Sequence, residues 1–569
     1  MTDCRLQIED EDSYEWHLQR LAATERKKAP QARRYLKHHK KHVVDLVGLE
    51  REKEAEFWEK YQEEEAIQER ARQQANEDRE SRIHELYRSS GIVTHQETVH
   101  GLMIDAGSTG SRLHVYEWEP RVLLNEDDIQ AAVSGNKLSF PGADARWTER
   151  LRPGLSEFAD KSDEELIPAL VEYLSPLLNF AKAVLHTKEA QWETFPVYLR
   201  ATAGMRILPA EQRARIIDAV RDLFANNQTF SPFQFVPENA RVLSGEEEAI
   251  YDWTGVNFVL GDLIEASEGA GTVVNPTKTH GALDLGGGST QISFYEPRED
   301  IMSNLFKLQI GQGKHWNVYA HSFLFYGMNE AIHRFESRLV AGKSPQERLI
   351  DGVYNPCLPG GAKAEIRSNI HLLENTHMET WEHDSTGQSS DGYYQAIMKN
   401  HEETGNPDQC MQLAKELLHL EQNQWCEFAH KGDCSLAGVY QPKLPDMDSE
   451  AFGEFLAFSN YHHVWKFLKL PEVASIAELE RTTRRVCAMN HVEVRAWASA
   501  KKYPDSEIDS YCFRSAYVFQ LLHNGFGFGM NDTIRATNVV NGHKVGWALG
   551  GELVMMLGMI PPTSTIRQI

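Results

Sequence analysis

Two stretches of the 569-residue chain are built alike. Residues 102–111 read Leu-Met-Ile-Asp-Ala-Gly-Ser-Thr-Gly-Ser, and residues 282–290 read Ala-Leu-Asp-Leu-Gly-Gly-Gly-Ser-Thr. Each is a short apolar run ending in an Asp, then a loop of Gly, Ser and Thr, then a second β-rich run (113–118 or 291–295). Glycines let backbone N–H groups approach an anion, and Ser/Thr hydroxyls add donors. Asp105 and Asp284 cannot lie against phosphate unaided, so they imply a divalent cation or a bound water in between. One such loop alone reads as a tight turn. Two with matching flanks read as a phosphate clamp shared by two related half-molecules.

Phosphate transfer also needs a group that activates the attacking atom. Residues 244–253 read Ser-Gly-Glu-Glu-Glu-Ala-Ile-Tyr-Asp-Trp. Ser244 and Glu247 stand at capping-box spacing, which gives Glu247 a structural task. Glu246 complements the helix dipole. Glu248 has neither task and leads into the apolar face of Ile250 and Trp253. A carboxylate in that position is a candidate general base, a role worth roughly 10²–10⁴-fold. The plainer reading is a solvated helix start. Residues 200–206, Arg-Ala-Thr-Ala-Gly-Met-Arg, follow a strand and offer the Thr202 hydroxyl; a simple strand–helix turn is the alternative.

The elements that must hold these residues follow from composition and pattern. A length of 569 residues allows about three or four ordinary domains. A hydrophobic content of 41% supports a sizeable core. With 59 Lys+Arg against 83 Asp+Glu, the net charge of −24 argues against general nucleic-acid binding. No run of about 20 apolar residues exists, so no membrane span is expected. The opening Met1-Thr2-Asp3-Cys4-Arg5 shows no signal-peptide pattern. Residues 1–97 are dense in charge, with one long helix expected over 50–87 on a thin apolar stripe, either solvated or serving as a docking arm. Residues 91–100 read as a linker and 384–392 as an exposed loop. From residue 101 onward strands and helices alternate, which predicts an α/β fold. A helix is expected over 209–224 and another over 514–522, closed by Asn524-Gly525. Six of the seven cysteines lie in the C-terminal part, where spacing leaves open a disulfide framework or scattered buried thiols. No C-x-x-C pair points to zinc.

Taken in order, the segments 105–112, 201–206, 244–248 and 284–291 resemble the signature regions of the apyrase family of nucleoside triphosphate diphosphohydrolases. A fifth resemblance joins Tyr511-Cys512-Phe513 and Ala516-Tyr517 to Gly546-Trp547-Ala548-Leu549-Gly550. The likeness covers residues 100–562. Residues 152–158, 257–261 and 355–359 are most similar to the Golgi/lysosomal branch.

The resemblance implies a two-lobed actin-like fold, shared with chaperone ATPases and sugar kinases, carrying a charged N-terminal helical extension (1–97). Lobe I would span 98–244, completed by 538–569, and lobe II 245–537. Asp105, Asp284 and Trp547 would hold a Ca²⁺ or Mg²⁺ ion through water. Ser108, Thr109, Gly110, Gly286, Gly287, Gly288 and Ser289 would line the phosphates. Glu248 would be the base, and Thr202, Ser289 and Gln291 would place the attacking water. Ser459, His463 and Tyr517 would face the nucleoside. His463 stands where relatives carry a base-stacking tyrosine, so a pH-dependent nucleotide affinity is expected. Ala249 and Gly288 are smaller departures, standing where the family usually has Gly and Ala.

The family also implies the pairs Cys357–Cys410, Cys426–Cys434 and Cys487–Cys512, with Cys4 left over. These favour an oxidising secretory lumen, against the missing leader and anchor. Asn227-Gln-Thr229 and Asn531-Asp-Thr533 are glycosylation sequons. The expected activity is metal-dependent removal of terminal phosphates from nucleoside tri- and diphosphates. A kinase of the same superfold and a nucleotide-switched scaffold using residues 1–97 as a docking arm are the competing readings.

Overall fold

The structure is a computed structural model. It describes residues 98–568 except 119–141, 143–145, 268–269, 274–277, 299–302, 311–313, 345, 370–392, 424–425, 427–433, 447–451, 499–504, 542 and 557–566. The expected helix over 50–87, the loop over 384–392 and Cys4 lie outside the described residues. A separate small unit, residues 1–76 with 345–351, is described only at 346–351.

The first sheet has the order β3-β2-β1-β4-β5. Its strands are β1 (Val99–Gly107), β2 (Gly110–Trp118), β3 (Thr148–Leu151), β4 (Val197–Ala201) and β5 (Ala240–Val242). β1 is buried almost continuously from His100 to Asp105, as a central strand covered on both faces must be. Its strand character begins at Val99, inside the segment expected to be a linker. Helices α1 (Asp163–Val184), α2 (Ala203–Ile207) and α3 (Ala210–Asn226) follow in the chain. α3 buries Ile216, Ile217, Val220, Leu223 and Phe224 and runs two residues beyond the expected end.

α4 (Gly245–Leu260) leads to the second sheet. Its central strands are β6 (Thr279–Leu285), β7 (Ser289–Tyr295), β8 (Lys314–Leu324), β9 (Phe452–Ser459) and β10 (Thr533–Ala536). They are ordered β8-β7-β6-β9-β10, with Leu305–Ile310, Val473–Ser475 and Arg567–Gln568 added at the flanks. Both five-strand sets therefore share one topology. In each, two antiparallel pairings precede two parallel ones. The repeated Asp-Gly loops are the repeated hairpins, β1–β2 and β6–β7.

α5 (Met328–Val340), α6 (Asn460–Leu468), α7 (Tyr511–Gln520) and α8 (Trp547–Met556) complete the helices that bear on the site. α7 starts three residues before the expected helix and continues as a wider turn through Gly525. α4 and α8 cross with their backbones close. A Cβ on Gly255 would lie 3.0 Å from the Gly546 carbonyl, and one on Gly550 would strike the Tyr251 carbonyl. The three pairs Cys357–Cys410, Cys426–Cys434 and Cys487–Cys512 are bonded, as the resemblance implied. No helix among the described residues is long and apolar enough to cross a membrane.

Candidate active site

Each hairpin aims its loop from the end of a buried strand. Asp105 pairs with Arg112 across β1–β2, and Asp284 with Gln291 across β6–β7. The two loops meet. A Cβ on Gly287 would lie 2.5 Å from the Ser108 hydroxyl oxygen and 3.2 Å from the Thr109 methyl, so only glycine permits this approach. The Gly286 and Gly287 carbonyls accept from the amides of Met328 and Asn329 at the start of α5, which fixes the second loop (2.9 and 3.0 Å). Arg150 on β3 donates to Thr109 Oγ1 at 3.0 Å and steadies the first.

The capping box at α4 forms as its spacing predicts. The Ser244 hydroxyl accepts from the Glu247 amide at 3.1 Å, and the Glu247 carboxylate accepts from the Ser244 amide at 3.1 Å. Arg241 holds the same carboxylate with two 2.8 Å bonds. Burial opposes its ionisation, yet Arg241 keeps the Glu247 pKa below the ordinary range. Glu246 stays partly exposed beside His321. Only Glu248 turns inward, 5% exposed.

Glu248 Oε2 accepts from Arg206 Nη2 at 2.8 Å and from Gln291 Nε2 at 3.1 Å. Ser289 Oγ accepts from the same two groups, at 3.0 and 2.8 Å. Gln291 also donates to Ser322 Oγ on β8 at 3.1 Å. Glu248 Oε1 has no hydrogen bond among the described residues and is left to accept from water. Burial raises the Glu248 pKa, and Arg206 and Gln291 moderate the rise. Thr202 caps α2 at the end of β4, its amide bonded to the Ala106 carbonyl at 3.1 Å, and its own carbonyl accepts from Arg206 one turn on.

Asp105 and Asp284 are both pushed up to about 7, burial being the largest cause and the neighbouring carboxylates adding to it. Arg112, Arg150 and the Trp547 side chain ease Asp105; the Ser459 side chain eases Asp284. One oxygen of each, Oδ1, is buried without a hydrogen-bond partner. Buried carboxylate oxygens with unspent acceptor capacity fit a hard divalent cation, which takes oxygen ligands and their waters.

The nucleoside set fares differently. Tyr517 is fully buried and its hydroxyl donates to the Tyr326 carbonyl at 2.7 Å, so it has no surface for a nucleoside. Its place in a helical motif resembled a contact residue, but α7 turns that face into the core. Ser459 sits at Asp284, on the cation side, with φ 60° and ψ −122°, a strained backbone for a residue with a Cβ. His463 is exposed at its rim on α6. Desolvation of its covered side, then the charges of His462, Lys466, Arg150 and Arg514, push its imidazole down to about 4. That shift runs against the titration near neutrality expected for it.

Sequence reasoning missed three residues of this cluster. Arg206 lay inside a quoted motif, and its position four residues after Thr202 on a short helix was the available signal. Asp252 stands one helical turn after Glu248. Ser322 had no local signal, since only strand pairing brings it to Gln291.

Residues 91–566 match the GDA1/CD39 (nucleoside phosphatase) family. The chain belongs to this nucleoside phosphatase family. It is 31% identical over 463 residues to bovine ectonucleoside triphosphate diphosphohydrolase 1, covering 79% of each chain. It is 26% identical over 499 residues to the Golgi apyrase of Saccharomyces cerevisiae, covering 81% of this chain and 70% of that one. The crystal structure of a nucleoside triphosphate hydrolase from Neospora caninum superposes with a TM-score of 0.55 at 16% identity, over 81% of this chain and 92% of that one. The fold of this nucleoside phosphatase is thus the two-lobed actin-like α/β class that the family resemblance implied.

Proposed function

We propose that the chain hydrolyses the terminal phosphoanhydride bond of nucleoside tri- and diphosphates, with Glu248 as general base. The observation that carries this reading is the Glu248 carboxylate. One oxygen is fixed by Arg206 and Gln291 and the other is left to water, at the meeting of two Gly/Ser/Thr loops. Glu248 would take a proton as water attacks the terminal phosphorus. The bond to the bridging oxygen breaks, and that oxygen leaves with the electron pair on the shortened nucleotide. Ser289, Gln291 and Thr202 would orient the water. The loop residues Ser108, Thr109, Gly110 and Gly286 to Ser289 would hold the phosphates in line, so positioning supplies much of the rate.

Asp105, Asp284 and Trp547 would hold Ca²⁺ or Mg²⁺, which when bound neutralises charge on the phosphates. Lobe boundaries at 244/245 and 537/538 are carried over from the family resemblance, although Arg567–Gln568 pairs in the second sheet, and residues 1–97 are a candidate docking arm. Three disulfides, together with the name of the Golgi relative, favour an endomembrane lumen. The test is phosphate release from ATP, UTP, GDP and UDP with Ca²⁺, Mg²⁺ or EDTA, for wild type and Glu248→Gln. Release that ignores EDTA, or survives in the variant, overturns the mechanism. Transfer to a hydroxyl acceptor without free phosphate would instead support the kinase reading, and binding without turnover the scaffold reading.

A further inference from the structure

Asp252 lies four residues after Glu248 on α4, so the two carboxylates share a face of the helix. Asp252 is 1% exposed, and neither carboxylate oxygen has a hydrogen bond of normal geometry. Burial presses hardest on its charged form, followed by the charges of Asp284, Glu248 and Asp105, while the Trp547 backbone amide eases it. Its neighbours along α4 are apolar core residues such as Ile250, Trp253 and Val256. A position that needed only filling would hold an apolar side chain at far lower cost than an unpartnered acid.

Four carboxylates thus lie within electrostatic reach of one another, Asp105 on β1, Asp284 on β6, and Glu248 and Asp252 on α4, while no three of their oxygens gather within 4.8 Å among the described residues. Glu248 is satisfied by Arg206 and Gln291. Arg112 and Arg150 ease Asp105, and Ser459 eases Asp284. Among the groups that act most strongly on Asp252 there is no cation and no side-chain donor, and its acceptor atoms are buried without a partner among the described residues. We infer that Asp252 is a third carboxylate at the divalent-cation site, accepting from a water of the ion's shell beside Asp105 and Asp284. The inference rests on the cation reading above. Affinity for hard divalent cations depends on the number of charged oxygen ligands, so Asp252 would set how tightly this chain holds its ion.

The experiment measures cation binding rather than turnover. Calorimetric titration with Ca²⁺ and with Mg²⁺ is run on the full chain with a non-hydrolysable nucleoside diphosphate analogue, for wild type and Asp252→Asn. Thermal melting with and without each cation accompanies it. The amide keeps the shape and removes the charge. The expected result is at least tenfold weaker cation binding in Asp252→Asn. Its melting temperature should be higher than wild type without cation, because the carboxylate repulsion is relieved, and the cation-induced rise should be smaller. Unchanged cation affinity in a folded Asp252→Asn overturns the inference while leaving the cation reading intact. Wild type that binds neither ion overturns both. Asp252→Ala provides the same comparison if the amide variant does not fold.

Discussion

Replacing Arg206 with Met tests whether the arginine tunes the base or merely packs beside it. Arg206 Nη2 lies 2.8 Å from Glu248 Oε2, with the two side chains 11% and 7% exposed. For charge centres about 4 Å apart, at an effective dielectric of about 20, the attraction is about 4 kcal/mol. At roughly 1.4 kcal/mol per unit, that is an upper bound of about 3 pKa units. Gln291 remains in the variant and water can fill the vacated space, so a rise of about 1–3 units in the Glu248 pKa is expected. Glu248 must be ionised to take a proton, so the acidic limb of the kcat/KM profile sits at its pKa. Raising that pKa moves the limb to higher pH. Arg206→Met should therefore lose about tenfold or more at pH 7 and recover much of it toward pH 9. Stability carries its own sign. A carboxyl whose folded pKa lies above its unfolded value loses stability as pH rises between the two, so the variant should melt further below wild type at pH 8 than at pH 5. The assay is phosphate release across pH 5–9.5 under kcat/KM conditions. An acidic limb that does not move, with activity depressed equally at every pH, would refute the reasoning.

Glu248→Gln should lower kcat by about 10²–10⁴-fold while an inert nucleotide analogue still binds, checked by calorimetry beside the phosphate assay. Because Asp105 and Asp284 are pushed up to about 7, protons compete with the cation below that pH. Apparent cation affinity should climb from pH 5 to about 7 and then level off, with proton release visible as a buffer-dependent binding enthalpy. Gly287→Ala would place a methyl 2.5 Å from the Ser108 hydroxyl oxygen, so the loops must separate. KM for nucleotide should rise by about tenfold or more with little loss of melting temperature, and an unchanged KM would mean the loops are not pressed together by use. Denatured, non-reduced protein should titrate one thiol, Cys4, of its seven cysteines. Seven thiols would remove the argument for an oxidising lumen.

What could be read before any coordinates was whatever a short window encodes. The hairpin loops announce themselves by Asp, Gly and Ser in series, and the capping box isolates Glu248 from its two acidic neighbours by spacing alone. Both are local, with a period or a turn that a sequence displays. Arg206 was harder, because its role depends on where α2 points relative to α4, two elements joined only through sheet order. Ser322 was invisible for the same reason. Tyr517 and His463 are a different case, since orientation on a helix and the surrounding charges belong to tertiary packing. Tyr517 faces the core, and burial first, then nearby positive groups such as Lys466, Arg150 and Arg514, push the His463 imidazole down.

The contact between Gly255 and Gly550 has a consequence for synthesis. α4 carries the base, yet the face it needs comes from α8, near the end of the matched region. A ribosome can release β1 to β5 and α4 long before α8 exists, and until then the carboxylates of Asp105 and Asp252 lack the Trp547 groups that face them. The nascent chain cannot complete this centre, so hydrolytic competence arises late and all at once. Premature termination before Trp547 should accordingly yield a chain that can pair its cysteines yet does not cleave a nucleotide.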